Sequence, residues 1–131
     1  MTEVFIRKQK VHSGKTERLQ EWIDDLVGEA KSDSQGVHDI WEEESLQTMS
    51  LFIEHAEDGD YLVWYLEADS MEQLIEARRA STHPLHDTED AMMEDVLEDP
   101  EETGDFEPLL HGVSPERSTT FQLQQYSERS Q

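Results

Sequence analysis

Apolar residues recur along the chain at two different periods, and each change of period marks an element. Glu3 to Val11 (EVFIRKQKV) alternates imperfectly, Val4 and Ile6 on one face and Phe5, Arg7 and Gln9 on the other, which predicts a strand. A turn at His12-Ser13-Gly14-Lys15 follows, with Ser13 or Thr16 available as a helix cap. Leu19, Trp22, Ile23, Leu26, Val27 and Ala30 then recur at the spacing of one helix face, which predicts an amphipathic helix of about three to four turns. Ser32 to Gly36 breaks the pattern, and Val37 to Glu44 extends as a short second helix with Val37, Ile40 and Trp41 inward.

Thr48 to His55 alternates Met49, Leu51 and Ile53 against Ser50, Phe52 and Glu54, whereas Tyr61 to Glu67 is almost wholly apolar. The Asp58-Gly59 pair between them is a hairpin signal, and a strand apolar on both faces belongs to a sheet covered on both sides. Asp69 or Ser70 caps a further helix, on which Met71, Leu74, Ile75 and Arg78 keep helical spacing. Ser81-Thr82-His83-Pro84 interrupts it, and Thr88 to Leu97 resumes with Met92, Met93, Val96 and Leu97. Beyond the acidic loop Asp99 to Gly104, Phe106 to Val113 and Thr119 to Tyr126 are two short candidate strands.

Strand, helix, hairpin, helix, strand is the order of a split β-α-β, ferredoxin-like α+β fold with a four-stranded antiparallel sheet. Helices cover one face of such a sheet and leave the other bare. A bare apolar face of several hundred Å² calls for a partner, so the pattern predicts a homodimer with sheets face to face, an α/β barrel. The domain is expected over residues 1–113, with 114–131 a C-terminal tail able to add a strand.

Charge changes this picture only at the surface. Of 131 residues, 32 are Asp or Glu and 10 are Lys or Arg, a net charge of −22. Residues 1–20 carry a local +3, residues 21–116 carry 29 acids against Lys31, Arg78 and Arg79, and the last fifteen residues carry +1. High charge with low hydropathy is the signature of disorder, but the periodic segments and the three Trp within them argue for an acidic coat on a folded core. With four lysines in all, the coat matches a halophile's cytoplasm, where molar salt shrinks the Debye length to about 3 Å and screens carboxylate repulsion. It also disfavours nucleic acid as a partner. No apolar run approaches a membrane span and the N-terminus lacks the design of a signal peptide, so a cytoplasmic location is expected. Without cysteine, disulfides, thiolate metal sites and thiol nucleophiles are excluded.

The segments Gly14-Lys15-Thr16-Glu17-Arg18-Leu19, Met49-Ser50-Leu51-Phe52-Ile53, Gly59-Asp60, Tyr65-Leu66-Glu67-Ala68-Asp69 and Ser81-Thr82-His83-Pro84 resemble those of the dimeric α/β-barrel superfamily. Over residues 3–113 the chain resembles an uncharacterised haloarchaeal family of that architecture and, more distantly, the L-rhamnose mutarotases. The resemblance implies a homodimer that binds a small organic molecule in a cavity between sheet and partner. A mutarotase-like sugar isomerase or a small oxygenase is the alternative it implies. The mutarotases carry a Tyr and a His four residues apart on the first helix, where this chain has Leu19 and Ile23, and paired Trp where it has Glu89 and Asp90. Mutarotation needs a proton donor and a proton acceptor, and Leu and Ile are neither.

If Val4 and Ile6 pack on the helices, Phe5, Arg7 and Gln9 face the barrel, where Arg7 wants an anion such as Glu54, Glu67 or a bound carboxylate. Phe5, Arg7, Tyr61, Tyr65 and His111 are therefore the expected ligand-binding residues. His83 and His86, three apart and followed by Asp87, Glu89 and Asp90, are the one candidate metal pair, set against the simpler reading of a capped loop entering a helix. No cofactor is expected: the glycines never reach the spacing of a phosphate loop, and no Gly-x-Ser-x-Gly elbow occurs.

Overall fold

A computed structural model describes residues 2–118 and 120–126. Strand β1 (Glu3–Lys10) leads into α1 (Thr16–Ser32) and α2 (Ser34–Glu44), the hairpin β2 (Leu46–Ala56) and β3 (Gly59–Ala68), then α3 (Met71–Ala80) and α4 (Pro84–Val96). The three strands form one antiparallel sheet in the order β1-β3-β2. β3, the most apolar segment of the chain, therefore lies in the middle. The hairpin closes where it was expected, but its two-residue loop is Glu57-Asp58; Gly59 opens β3 opposite Ala56 at φ +133°, a value glycine reaches without strain.

The break between the first two helices is a single residue. Asp33 caps α2 by accepting from Gly36 N at 3.0 Å, and a Cβ on residue 36 would collide with that carboxylate, which accounts for a glycine inside the first turn. Ser45, at φ 55°, ends α2 and turns the chain into β2. Ser70 caps α3 through Gln73 N, and Pro84 takes the first position of α4, where its missing N–H costs nothing.

All four helices cover one face of the sheet. Leu62, Trp64, Leu66 and Ala68 of β3 are buried on that face; α1 and α4 bring Leu19, Leu26, Met92, Met93 and Val96 to one end, and Leu46 and Leu74 close the other with Trp41 and Met71. Asp95 ties α4 to α1, accepting from Trp22 Nε1, Lys15 Nζ and Arg18 Nε at 2.8–3.0 Å, and these donors hold its carboxyl far below the ordinary range. Gln9, on the edge strand β1, is fully buried on the helix side, accepting from Trp64 Nε1 at 2.7 Å and donating to Pro100 O at 2.6 Å.

Two expectations are corrected. The faces of β1 are reversed: its register sets Phe5 opposite Leu66, Arg7 opposite Trp64 and Gln9 opposite Leu62, on the helix side, while Val4, Ile6, Lys8 and Lys10 lie on the open side. β1 alternates too weakly to decide this by itself; pairing with β3 decides it. The sheet also has three strands, not four. The chain after α4 does approach the free edge of β1, through a Val11–Leu97 bridge, Glu98 N to Lys10 O at 3.0 Å and Lys8 N to Thr103 O at 2.9 Å. Between these contacts the turn Asp99–Glu102 loops away, with Pro100 supplying no N–H. Phe106 to Val113 forms no strand, and Leu109 and Leu110 are almost fully exposed. No strand forms over 120–126 either; Thr119, the first residue of that candidate strand, lies outside the described residues.

Candidate functional site

Charged side chains on otherwise apolar helix stripes converge on one cavity. Glu44 continues the stripe Val37, Ile40, Trp41; Arg78 continues Met71, Leu74; Glu89 opens the stripe of Met92, Met93 and Val96. Because each occupies a core position of its helix, all three turn toward the sheet. There, with Arg7 and His86, they line a cavity of about 50 Å³ whose remaining walls are apolar, among them Trp41, Trp64 and Leu66.

Glu44, Glu89 and His86 are 4–7% exposed. His86 Nε2 meets Glu44 Oε2 at 3.3 Å, and Arg78 Nη1 meets Glu89 Oε1 at 2.7 Å, with Asp90 at 3.7 Å from Nη2. Burial acts to lower the Arg78 pKa, and the charge of Glu89, reinforced by Glu44 and Asp90, raises it overall. The Arg78–Glu89 contact is close but off the hydrogen-bonding direction. Arg78 Nη2, Glu89 Oε1 and His86 Nδ1 are buried without a hydrogen-bond partner, a state that costs about 1–3 kcal/mol for each such group. Arg7 lies with its guanidinium carbon 4.9 Å from the Trp64 ring centre and donates to the sulfur of Met93 at 3.6 Å. Burial, and then the like charge of Arg78, lower its pKa, while Glu89 opposes them.

The expected binding residues are thus divided. Arg7 lines the cavity; Phe5 shares its face of the sheet but is 37% exposed and does not line it. Tyr61 lies on the open face beneath Lys8, whose Nζ is 4.4 Å from the ring and pairs across β3 with Glu54 at 2.7 Å. Tyr65 and His111 do come together there, at 3.4 Å. Glu67 is the hub of that second cluster: buried, it accepts from Thr48 Oγ1 and from Arg117 through both terminal nitrogens at 2.7 and 3.3 Å, with His111 Nε2 lying 2.7 Å away. The Arg117 hydrogen bonds are the main cause of a lowered Glu67 pKa. This clamp holds the chain from His111 to Arg117 against the open face, beside a groove of about 460 Å³. Farther on the chain reaches the helices, with Phe121 edge-on to Trp41 at 5.3 Å and Gln125 donating to Asp24.

His83 and His86 do not act as a pair. His83 Nδ1 accepts from Leu85 N at 3.0 Å, capping α4, and Nε2 meets Asp33 Oδ2 at 3.1 Å, so both ring nitrogens are occupied; His86 is turned to Glu44. Among the described residues no group of three or more His, Asp or Glu is arranged to hold a metal ion. Among the described residues no helix is long and apolar enough to cross a membrane.

Sequence reasoning passed over Glu44, gave Glu89 only as a neighbour of the His83/His86 pair and Arg78 only as a residue at helical spacing, because acids are so frequent in this chain that no single one stands out. Their signal was position: each is a charge where the stripe calls for an apolar residue. Comparison with known proteins matches residues 2–117 to the model of a family of unknown function, DUF6176. No curated protein and no solved structure matches the chain.

Proposed function

Since the chain belongs to the DUF6176 family, whose function is not known, its activity is argued from its own geometry, and we propose that it binds a small organic molecule in the cavity between the sheet and α2, α3 and α4. One observation carries this reading: three buried polar atoms, Arg78 Nη2, Glu89 Oε1 and His86 Nδ1, lack hydrogen-bond partners around an otherwise apolar void, the first two having ion-pair contacts alone. A ligand with matching donors and acceptors removes that cost, and concave, mainly apolar sites with few polar groups are where small molecules bind. The site originally expected between sheet and partner moves, in this reading, to the other face of the same sheet. The test is a screen of small organic molecules by protein-observed NMR in molar KCl. Shifts at the Trp41 and Trp64 indoles support the reading, and a screen without any shift there overturns it.

A proton-transfer enzyme, the mutarotase-like alternative, is the second reading. His86 with Glu44 on its Nε2 is a base oriented by a carboxylate, the arrangement general acid–base catalysis uses. Leu19, fully buried, and Ile23, packed against the core, serve α1 structurally at the positions where the mutarotases hold their Tyr and His. The small-oxygenase variant rests on the resemblance of fold alone.

The assembly belongs to the same proposal: a ferredoxin-like protomer pairing with a second copy through the open face into an α/β barrel. At −22, two copies repel each other over most of their surfaces. The open face is balanced, Lys8 against Glu54 and Lys10 against Asp58, with Glu67 already met by Arg117, around an apolar strip of Ile6, Val63 and Phe52, with Phe52 56% exposed. A saline cytoplasm, as in a halophile, completes the reading, because salt screens the rest of the coat.

A further inference from the structure

Resting on the face-to-face assembly proposed above, we infer that two copies exchange an apolar finger: Leu109 and Leu110 of each protomer seat on the open face of the other, against Phe52, Ile6 and Val63. Leu109 is 89% exposed and Leu110 94%, and Phe106 and Val113 on either side of them are exposed as well. A single leucine in water is ordinary. Two adjacent ones held almost wholly in water, within a run of further exposed apolar residues, mark an interaction site.

The pair is held out by its flanks. Upstream, Thr103 O accepts from Lys8 N at 2.9 Å and fixes the chain at the free edge of β1. Downstream, His111 lies 2.7 Å from Glu67, and Arg117 donates to the same carboxylate through both terminal nitrogens, on the open face. Residues 104–110 bridge these two anchors without regular structure. Pro108 has no N–H to give to a strand edge, so the span is ill suited to complete its own sheet.

Charge and symmetry name a second copy as the occupant. Between Glu107 and Glu116 the chain carries no Asp, Glu, Lys or Arg, although residues 21–116 hold 29 acids. On the open face Lys8 and Lys10 are met by Glu54 and Asp58 around Phe52. An uncharged finger and a balanced face are patches where two chains of charge −22 approach without carboxylate facing carboxylate. A second copy supplies the complement of each patch by itself: a two-fold axis forms the contact twice, finger to face and face to finger, and closes the assembly at two copies. Phe52, Phe106, Leu109, Leu110 and Val113 together leave several hundred Å² of apolar surface on each protomer. That is the scale of the about 800 Å² that a stable interface takes from each partner.

The experiment is size-exclusion chromatography with light scattering on the full chain in molar KCl, over a dilution series that yields the dimer Kd. The parent is expected as a dimer. Leu109→Ser/Leu110→Ser adds no charge and changes side chains that stand in water in the protomer, so its circular dichroism should match the parent's. Its dimer is expected to be at least about a hundredfold weaker, because four leucines per dimer lose their burial. Phe52→Glu should separate the copies from the other side of the same contact. A dimer with unchanged Kd in the serine variant that falls apart in Phe52→Glu overturns the finger and leaves the face-to-face assembly standing. A dimer lost in the serine variant but kept in Phe52→Glu seats the leucines away from the open face and overturns the exchange. A parent monomeric at high protein concentration, or a dimer indifferent to both variants, overturns both readings.

Discussion

Replacing Glu89 by leucine should be strongly destabilising, and replacing Arg78 along with it should restore most of the loss. Glu89 is 5% exposed and its carboxylate stands 2.7 Å from Arg78 Nη1. Breaking one side of a buried pair costs about 3–5 kcal/mol, because the surviving charge stays in a medium that solvates it poorly. Arg78 retains 26% of its side-chain surface and Asp90 at 3.7 Å, so about 2–3 kcal/mol is the fitting figure here. For a domain of this size that is a fall in Tm of about 6–15 °C. In Arg78→Leu/Glu89→Leu neither member of the pair is left behind, and Arg7 loses the repulsion of Arg78 together with the smaller attraction of Glu89. The double variant should lie within about 1 kcal/mol of the parent, as hydrophobic replacements of buried pairs often do. Urea unfolding in molar KCl, followed by Trp fluorescence, measures all three proteins under the same conditions. A double variant as unstable as Glu89→Leu would refute the reasoning, since the loss would then come from packing and not from an unpaired cation.

Three further outcomes follow from the same geometry. The melting temperature should rise from dilute buffer to molar KCl as carboxylate repulsion is screened; a flat curve removes the halophile reading. Phe52→Glu places a charge in the centre of the open face and should convert dimer to monomer in light scattering, with circular dichroism unchanged; a parent that is already monomeric at high protein concentration removes the dimer. Glu67 has a folded pKa below its unfolded value of about 4.3, so its contribution is complete above that value and is lost as pH falls through the folded pKa. The Gly112 amide resonance should then move toward its random-coil position in acid, and Glu67→Gln should produce the same shift at pH 7; an unmoved resonance in that variant refutes the clamp.

The sequence was most legible where its pattern was redundant. The stripe from Leu19 to Ala30 and the double-faced run from Tyr61 to Glu67 identify α1 and the central strand without ambiguity, because many positions agree. β1 carries few apolar residues, interleaved with Arg7, Lys8 and Lys10, and its facing was settled only by hydrogen bonding to β3, a non-local event. The missing fourth strand has the same origin. Phe106 to Val113 has strand-like composition, yet the approach to the free edge of β1 is made by Leu97 to Thr103, chosen by the short connection from α4 and interrupted by the turn at Pro100. The site was half legible: Arg7 was marked as a cation in want of an anion, whereas Glu44 and Glu89 were hidden among many acids, and Arg78 was one more residue at helical spacing, until the helix faces were fixed.

The ring of His83 links the start of α4 to that of α2. Since Leu85 N–H donates to Nδ1, that nitrogen carries no proton, and the single ring proton sits on Nε2 facing Asp33. The seat of α4 is therefore tied to one tautomer of one exposed-edge histidine. α4 carries His86 and Glu89 on its first two turns, so the cap at His83 also sets where those two side chains meet the cavity.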